Sequence, residues 1–372
     1  MYKLLFLIND LGNGGAEKVL VNLVNCLAED DYDITVRTLI KGGTNQNHLS
    51  RKVHYEYVFK KAFPGLNYLY LLPHGWIYNR VVHGKYDVII VFLHGVLTRI
   101  VSFAPKLQRT IAYLHANMEY SPFMKKFKSK NDIKKCFENY NRIVSVSQDI
   151  QQSFIKASGI NDKRLVVKYN TFDVKKIRYN SRIKNSNLVL DKNRQDCILC
   201  SVGKLEKVKG YSRLLRIVRR LIEEGDSIKL IIVGEGSQKA NLLKYIKEND
   251  LEKNVYLVGF DDNPYKYIVN SDLFVCSSYS EGFSSAVAES LILGVPVITT
   301  KCAGMREMIG ENEFGVITDN NEDALYKGIK MIVSNKQLLD HYRSQAITRG
   351  LMFSTENTVQ SVKKMIEEVM KE

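Results

Sequence analysis

One segment in the C-terminal half constrains the fold of this chain more than any other. It runs from Ser277 to Glu289 and follows the apolar run Leu273 to Cys276, which predicts a buried strand. A helix that begins at a Ser cap is predicted from Ser284 to Leu293. This order of elements is typical of α/β sheets, which bind ligands at the carboxyl ends of their strands. Glu281 and Glu289 would therefore lie close to a ligand.

The segment resembles the E-x7-E signature of the family 4 retaining glycosyltransferases. Glu281-Gly282-Phe283 precedes the run Ala286-x-x-Glu289-Ser290-Leu291-x-x-Gly294-x-Pro296-Val297, which is close to the motif of that family. The resemblance covers essentially the whole chain. It implies the GT-B fold, an α/β architecture of two doubly wound Rossmann-like parallel-sheet domains facing across a cleft. For this segment alone, the alternative is an ordinary strand, turn and helix with two solvated carboxylates.

The resemblance also implies roles for the residues of the motif. Glu289 would accept hydrogen bonds from the ribose hydroxyls of a nucleotide sugar, since an ionised carboxylate offers a vicinal diol only acceptors. Glu281 would lie against the donor sugar. Backbone groups of the turn and of the helix start would bind sugar or phosphate oxygens, and these residues are Gly282, Phe283, Ser284 and Ser285. Because the family commonly has Gly-Leu where this chain has two serines, the identity of the sugar stays open.

A loop with several lysines joins the first strand of the C-terminal half to its helix. Lys204 and Lys209 would direct two cations to the carboxyl end of that strand, beside a helix N-terminus that itself favours anions. The loop resembles the Gly-Arg-Leu…Lys-Gly motif of the family, in which both basic residues hold the nucleotide diphosphate. Lys204 stands at the Arg position and keeps the charge without the bidentate fork. For both lysines, the alternative is that they only keep the protein soluble.

Two glycine turns complete the predicted donor site. Gly259-Phe260 follows the predicted strand Val255 to Val258 and matches the family position at which backbone groups meet the nucleobase. Near the N-terminus, the loop before the first helix resembles the Gly-Gly-Ala-Glu loop that covers the donor diphosphate in the family. Its residues Gly14 and Gly15 permit close backbone approach and positive φ angles. The alternative for this loop is a plain tight turn.

Histidines at strand ends are the candidates on the acceptor side. His115 follows the predicted strand Thr110 to Leu114 and matches the family histidine that faces donor and acceptor, and His94 is a second candidate. No His-x-x-x-His pair and no carboxylate-histidine cluster predicts a catalytic metal. Cys197-x-x-Cys200 imitates a redox or zinc motif, but a strand would point its thiols to opposite faces. No cofactor is expected, because the nucleotide sugar is a substrate.

Short apolar runs alternate with helical segments in both halves of the chain, which predicts two parallel-sheet domains. A chain of 372 residues with 45% hydrophobic residues can form two cores. We expect an N-terminal acceptor-binding domain at 1–174, a linker at 175–196 and a donor-binding domain at 197–354. A helix at about 355–372 is expected to pack back on the first domain.

The formal net charge of +14 implies an anionic partner. The net charge is consistent with three kinds of anionic partner: nucleic acid, a phosphorylated substrate and an anionic membrane. No apolar stretch approaches the roughly 20 residues that cross a bilayer, because Val88 to Ala104 contains His94 and Arg99. The N-terminus lacks a signal cleavage site. A cytoplasmic location is therefore expected.

Two segments of the first domain combine cations with aromatic residues. Lys60 to Leu72, together with Trp76, forms the first, and the lysines between Lys125 and Lys135 form the second. They predict peripheral contact with an anionic membrane on its cytoplasmic face. The alternative is that the aromatic residues belong to the core and the lysines only keep the protein soluble.

These features predict a retaining, metal-independent glycosyltransferase of the bacterial capsular or exopolysaccharide type. It would move a hexose or N-acetylhexosamine from a nucleotide sugar, and a UDP-sugar is favoured, to a saccharide or lipid-linked saccharide. Lys209 would stabilise the departing diphosphate, His115 would position the acceptor, and a covalent role of Glu281 stays open. Alternatives with the same architecture are a catalytically silent sugar-nucleotide-binding subunit and a nucleotide-sugar epimerase. A nucleic-acid-binding protein fits the charge, but no RNP motif or basic recognition helix is present.

Overall fold

A computed structural model describes residues 1–30, 32–119, 121–183 and 196–372. The chain divides into two compact units, of which the first comprises Met1–Phe172 and Thr355–Glu372 and the second Asp173–Ser354. The boundary falls between Phe172 and Asp173. The predicted linker differs from the structure at its start, because residues 174–181 form a helix that the side chain of Asp173 caps at Lys176 N. The rest of that prediction, at 184–195, lies outside the described residues.

The secondary structure alternates between strands and helices throughout the chain. The strands are Tyr2–Ile8 (β1), Tyr32–Ile40 (β2), His54–Phe59 (β3), Val88–Val91 (β4), Arg109–Leu114 (β5), Arg142–Ser145 (β6), Leu165–Val167 (β7), Cys197–Val202 (β8), Ile228–Val233 (β9), Val255–Gly259 (β10), Leu273–Cys276 (β11), Val297–Thr300 (β12) and Val316–Thr318 (β13). The α-helices are Gly15–Leu27 (α1), His74–Val81 (α2), Val96–Val101 (α3), Lys130–Phe137 (α4), Gln148–Ser158 (α5), Val174–Ser181 (α6), Tyr211–Glu223 (α7), Lys239–Glu248 (α8), Tyr265–Ile268 (α9), Ser285–Ile292 (α10), Met305–Ile309 (α11), Glu322–Val333 (α12), Lys336–Met352 (α13) and Thr355–Lys371 (α14).

The first unit contains a parallel sheet in the order β3-β2-β1-β4-β5-β6-β7. Its central strands are continuous apolar runs, as strands covered on both faces require, and all four residues of β4 are buried. The helix α14 contributes to this unit, since Thr355 Oγ1 donates a hydrogen bond to Phe172 O at 2.7 Å and Lys363 pairs with Asp30 at 3.1 Å. The strand order changes direction between β1 and β4, which places their carboxyl ends at a switch point.

The second unit contains a parallel sheet in the order β10-β9-β8-β11-β12-β13. Its switch point lies between β8 and β11, and both strands end in loops that carry predicted donor residues. The predicted α/β class with two doubly wound parallel sheets is therefore confirmed. Among the described residues, no helix is long and apolar enough to cross a membrane.

Candidate active site

An ion pair lies at the switch point of the second unit. Lys209 ends the 3-10 turn that follows β8, and Glu281 lies in the loop after β11. Lys209 Nζ is 2.7 Å from Glu281 Oε1. Burial lowers the pKa of Lys209, but the neighbouring Glu281 carboxylate and further contacts outweigh it, so the pKa is raised. Lys209 is therefore a fixed cation at neutral pH.

The environment of Glu281 holds its carboxylate in one place. Its side chain is 9% exposed, and Ser278 Oγ donates a hydrogen bond to Glu281 Oε1 at 2.5 Å. A small cavity opens beside the ion pair and is lined in part by Ser201, Tyr211 and Ser284. The structure thus brings together Lys209, Glu281 and the start of α10.

Glu289 lies on α10 and is 4% exposed. The hydroxyl of Tyr265 on α9 lies 3.4 Å from Glu289 Oε1. Ser284 occupies the N-cap position of α10 without a side-chain hydrogen bond to the helix. The first N–H groups of α10 can therefore serve an anionic or hydroxyl ligand, and Glu289 adds acceptor oxygens in the same helix.

The turn Gly282-Phe283 is covered by the loop that contains Gly304. Gly304 in that loop has φ +75°, and a Cβ there would lie 2.8 Å from Gly282 O and 3.2 Å from the Phe283 ring. Only glycine fits this position without displacing the turn.

The turns after β8, β9 and β10 pack backbone against backbone. Gly234 N donates a hydrogen bond to Gly259 O at 2.8 Å, and a Cβ at Gly234 would lie 2.0 Å from Gly203 O. Gly259 has φ +80°, and the following Phe260 is 41% exposed. An exposed ring after a tight turn can stack on a planar base. Lys204 also lies in this region, but its side chain is exposed and does not join the Lys209–Glu281 pair.

Two histidines meet at the carboxyl ends of β4 and β5 in the first unit. The backbone N–H of His115 donates to His94 Nδ1 at 3.3 Å. Burial lowers the pKa of His94 to about 4. Burial and the neighbouring His94 lower the pKa of His115 to about 3, against an opposing hydrogen bond with the Phe92 backbone. Both imidazoles are therefore neutral at neutral pH, and His115 Nε2 is a buried atom with no hydrogen-bond partner among the described residues.

The glycine loop before α1 differs from the expectation of positive φ angles. Gly14 is extended, with φ −86°, and no residue of the loop belongs to the glycines with positive φ. The position that requires glycine is Gly43, which has φ +125° and whose Cβ would lie 2.0 Å from the Leu11 carbonyl. Asn45 N also donates to Leu11 O at 2.9 Å. A second loop therefore supports the glycine loop, a contact that sequence reasoning missed.

Several motifs that could indicate a metal lie elsewhere. Cys197 and Cys200 both lie on β8, and burial raises the pKa of Cys200 well above its usual value. The sequence contains one Asp-x-Asp spacing, at 31–33, whose second member Asp33 lies near the start of β2, beside Lys3. That is the amino edge of the first sheet, opposite to the edge that binds ligands. In the part of the chain that the structure describes, no cluster of three or more His, Cys, Asp or Glu could hold a metal ion.

Comparisons with known proteins identify relatives of both units. The family model described as glycosyl transferases group 1 matches residues 184–349, and the model described as glycosyltransferase family 4 matches residues 13–176. A Campylobacter jejuni protein named as a diphospho-undecaprenol N-acetylgalactosaminyltransferase is 35% identical over 208 residues. That match covers 55% of this chain and 53% of the relative, so the chain spans about half the length of that protein. The amylovoran biosynthesis glycosyltransferase AmsD of Erwinia amylovora is 26% identical over 93% of this chain and 94% of its own length.

Solved structures share the fold. HepE of Anabaena, solved with UDP-glucose, aligns with a TM-score of 0.77 at 20% identity, over 99% of this chain and 100% of that chain. WaaG, a glycosyltransferase involved in lipopolysaccharide biosynthesis, aligns with a TM-score of 0.75 at 14% identity, over 98% of this chain and 99% of that chain. At these identities the likeness concerns the fold.

Proposed function

Because this chain belongs to glycosyltransferase family 4, we propose that it transfers a hexose or N-acetylhexosamine from a UDP-sugar to a saccharide or lipid-linked saccharide. The observation that carries the proposal is the Lys209–Glu281 pair beside the start of α10. A fixed cation and a helix N-terminus face one small cavity, and both favour a diphosphate. The buried acceptor Glu289 on the same helix suits a ribose diol.

The names of relatives support the donor class. HepE was solved with UDP-glucose, and the Campylobacter relative is named as an α-N-acetylgalactosaminyltransferase that acts on a diphospho-undecaprenol saccharide. AmsD is named for synthesis of amylovoran. We therefore place this chain in the synthesis of a cell-surface polysaccharide. An α product formed from an α-linked UDP-sugar agrees with retention of the anomeric configuration.

The proposed reaction assigns one task to each group. Charge develops on the departing diphosphate, and Lys209 with the first N–H groups of α10 stabilises it without reorganisation. In this assignment, residues of the chain itself stabilise the leaving diphosphate. His115 Nε2, the buried unpartnered nitrogen of a neutral imidazole, positions a substrate hydroxyl by hydrogen bonding.

A donor screen tests the proposal. The purified chain is incubated with UDP-, GDP-, ADP- and dTDP-sugars, with and without short saccharide acceptors, and released nucleotide is measured. We expect UDP release from one UDP-hexose or UDP-N-acetylhexosamine, stimulated by the matching acceptor. An epimerase would instead interconvert the donor sugar without acceptor, which nuclear magnetic resonance detects. Binding of UDP without release from any donor would indicate the catalytically silent subunit.

We also propose that the chain acts at the cytoplasmic face of the cell membrane, where a lipid-linked acceptor is found. In the structure, Leu69 and Tyr70 are buried, but other apolar side chains of the predicted segment are exposed. These exposed side chains are Phe63, Tyr68, Leu71, Leu72 and Trp76. Lys126 Nζ lies 5.2 Å from the centre of the Tyr68 ring and 3.5 Å from Asn67 O. Lys126 of the second segment therefore adjoins the exposed aromatic residues of the first, and anionic bilayer interfaces favour such neighbouring aromatic and cationic groups.

Liposome sedimentation tests the membrane contact. Wild-type chain is expected to sediment with anionic but not with neutral vesicles, and to be released by high salt. The variant Lys125→Gln/Lys128→Gln removes two exposed cations of this surface and should bind about 30-fold more weakly, at about 1 kcal/mol per cation. Lys244→Gln/Lys247→Gln loses the same charge from α8 in the second unit and should bind like wild type. If both variants bound anionic vesicles equally weakly, the weaker binding would come from the lower net charge alone and not from this surface.

A further inference from the structure

Among the described residues of the second unit, Arg213 is the most deeply buried charged residue, with 1% exposure. It lies in the first turn of α7, four positions after Lys209. The hydrogen-bond partners of its guanidinium among the described residues include no carboxylate, and burial lowers its pKa. Burying a cation without an anionic partner is costly unless its donors are satisfied. The hydrogen-bond partners of Arg213 therefore indicate which part of the structure the buried guanidinium stabilises.

The guanidinium binds the backbone of the loop that carries Glu281. Arg213 Nε donates to Ser277 O at 2.8 Å and Nη2 donates to Ser278 O at 2.7 Å. Nη1 donates to Asn320 Oδ1 at 2.9 Å, and the guanidinium carbon lies 4.0 Å from the centre of the Tyr279 ring. The planar fork thus holds three consecutive residues of one loop, a geometry that a single ammonium cannot reproduce.

The same loop residues hold both members of the ion pair. Ser278, whose carbonyl accepts from Arg213, donates its hydroxyl to Glu281 at 2.5 Å. Ser277, whose carbonyl also accepts from Arg213, donates its hydroxyl to Lys209 O at 2.9 Å. Two short chains of hydrogen bonds therefore run from one guanidinium to the carboxylate and to the backbone of the lysine.

Thr300 adds a second support to the carbonyl of Ser278. Its Oγ1 donates to Ser278 O at 2.5 Å and lies 3.4 Å from Arg213 Nη2. The loop after β11 is thereby tied to α7 and to the end of β12. An apolar side chain could fill the volume of Arg213, but it could not hold these carbonyls.

We propose that Arg213 is a positioning residue for sugar transfer, which fixes the loop Ser277–Tyr279 so that Glu281 and Lys209 keep their places. This inference rests on the proposed function. Arg213 touches neither donor nor acceptor in this role and acts through the ion pair. A displacement of about 1 Å in such a group can lower the rate by about 100-fold.

The test compares Arg213→Lys with Arg216→Lys. Arg216 lies on the same helix, is exposed and pairs with Glu322, so its replacement is the matched control. In Arg213→Lys we expect kcat to fall about 100-fold. The Kd for UDP should change by a smaller factor, because Glu289, the proposed partner of the ribose, is not held by this loop. A role in folding alone would reduce the fraction of UDP-binding sites and kcat together.

Chemical rescue provides a measurement that does not depend on the lysine variant. Arg213→Ala leaves a cavity of guanidinium shape, so added guanidinium at millimolar concentration should restore part of kcat, whereas equal sodium chloride or urea should not. Wild-type kcat in Arg213→Lys, or the same partial loss in Arg216→Lys, would overturn the proposal. A wild-type chain that releases no nucleotide from any sugar donor would overturn the proposed function itself and this inference with it.

Discussion

Replacing Lys209 with alanine is expected to lower kcat for sugar transfer by about 100- to 1000-fold, the loss that follows removal of one group facing developing charge. Lys209 Nζ is fixed at 2.7 Å from Glu281, and its raised pKa keeps it charged at neutral pH. Lys209→Arg retains the charge and should lose less activity. Steady-state rates of UDP release from wild type and both variants measure the difference.

The control for this experiment is Lys207→Ala, since Lys207 lies in the same turn with an exposed side chain. It should keep wild-type kcat. We further expect turnover to be unchanged in EDTA, because the proposed stabilisation of the leaving group comes from Lys209 and the start of α10. Loss of turnover in EDTA that Mg²⁺ or Mn²⁺ restores would contradict this assignment, as would equal losses in the Ala and Arg variants of Lys209.

Replacing Glu289 with alanine is expected to weaken UDP binding by about 2–5 kcal/mol, or roughly 30- to 5000-fold in Kd. Glu289 is 4% exposed, so its carboxylate meets the ribose hydroxyls with little competition from water. Titration calorimetry with UDP measures the loss. Glu289→Gln keeps the shape and one acceptor oxygen, and its affinity should lie between wild type and Glu289→Ala.

The hydroxyl of Tyr265 lies 3.4 Å from Glu289 Oε1, and Glu289→Ala also removes this contact. Its effect on UDP binding must therefore be measured separately from the loss of the carboxylate. Tyr265→Phe removes the hydroxyl alone and should change the Kd for UDP by less than about fivefold, as the loss of one ordinary hydrogen bond does. Wild-type affinity in Glu289→Ala would remove Glu289 from the nucleotide site.

The sequence predicted the buried strands well because continuous apolar runs of four or more residues determine them. The bounds of β11 agree with the prediction, and β5 and β10 are each one residue longer than predicted. The strands β7 and β13 were missed, since each has three residues and most of them are only half-buried. The apolar run Val88 to Ala104 divides into β4 and α3, a division that hydrophobic periodicity alone does not resolve.

The candidate site was predicted residue by residue, but not as a network. Lys209 and Glu281 were both expected at strand ends, yet 72 positions separate them and their contact depends on β8 lying beside β11. Lys204 and Lys209 were both expected to hold the diphosphate, with Lys204 lacking the fork of the family arginine, and Lys209 is the one that pairs with Glu281. Arg213 gave no signal, because a charged residue in an amphipathic helix predicts a solvated face. Its partners are backbone carbonyls, which no side-chain pattern reveals.

The pairing of Lys209 with Glu281 has a consequence for ligand selection. A solitary cation in a cavity would attract any small anion of the cell, inorganic phosphate included. Here an internal carboxylate already balances the charge, at a distance of 2.7 Å. A small competing anion therefore gains little binding free energy in this cavity. A larger ligand gains more, because it makes further contacts that the small anion cannot make. We therefore expect the pair to make the site selective by shape and by the number of contacts, and to weaken the binding of inorganic phosphate.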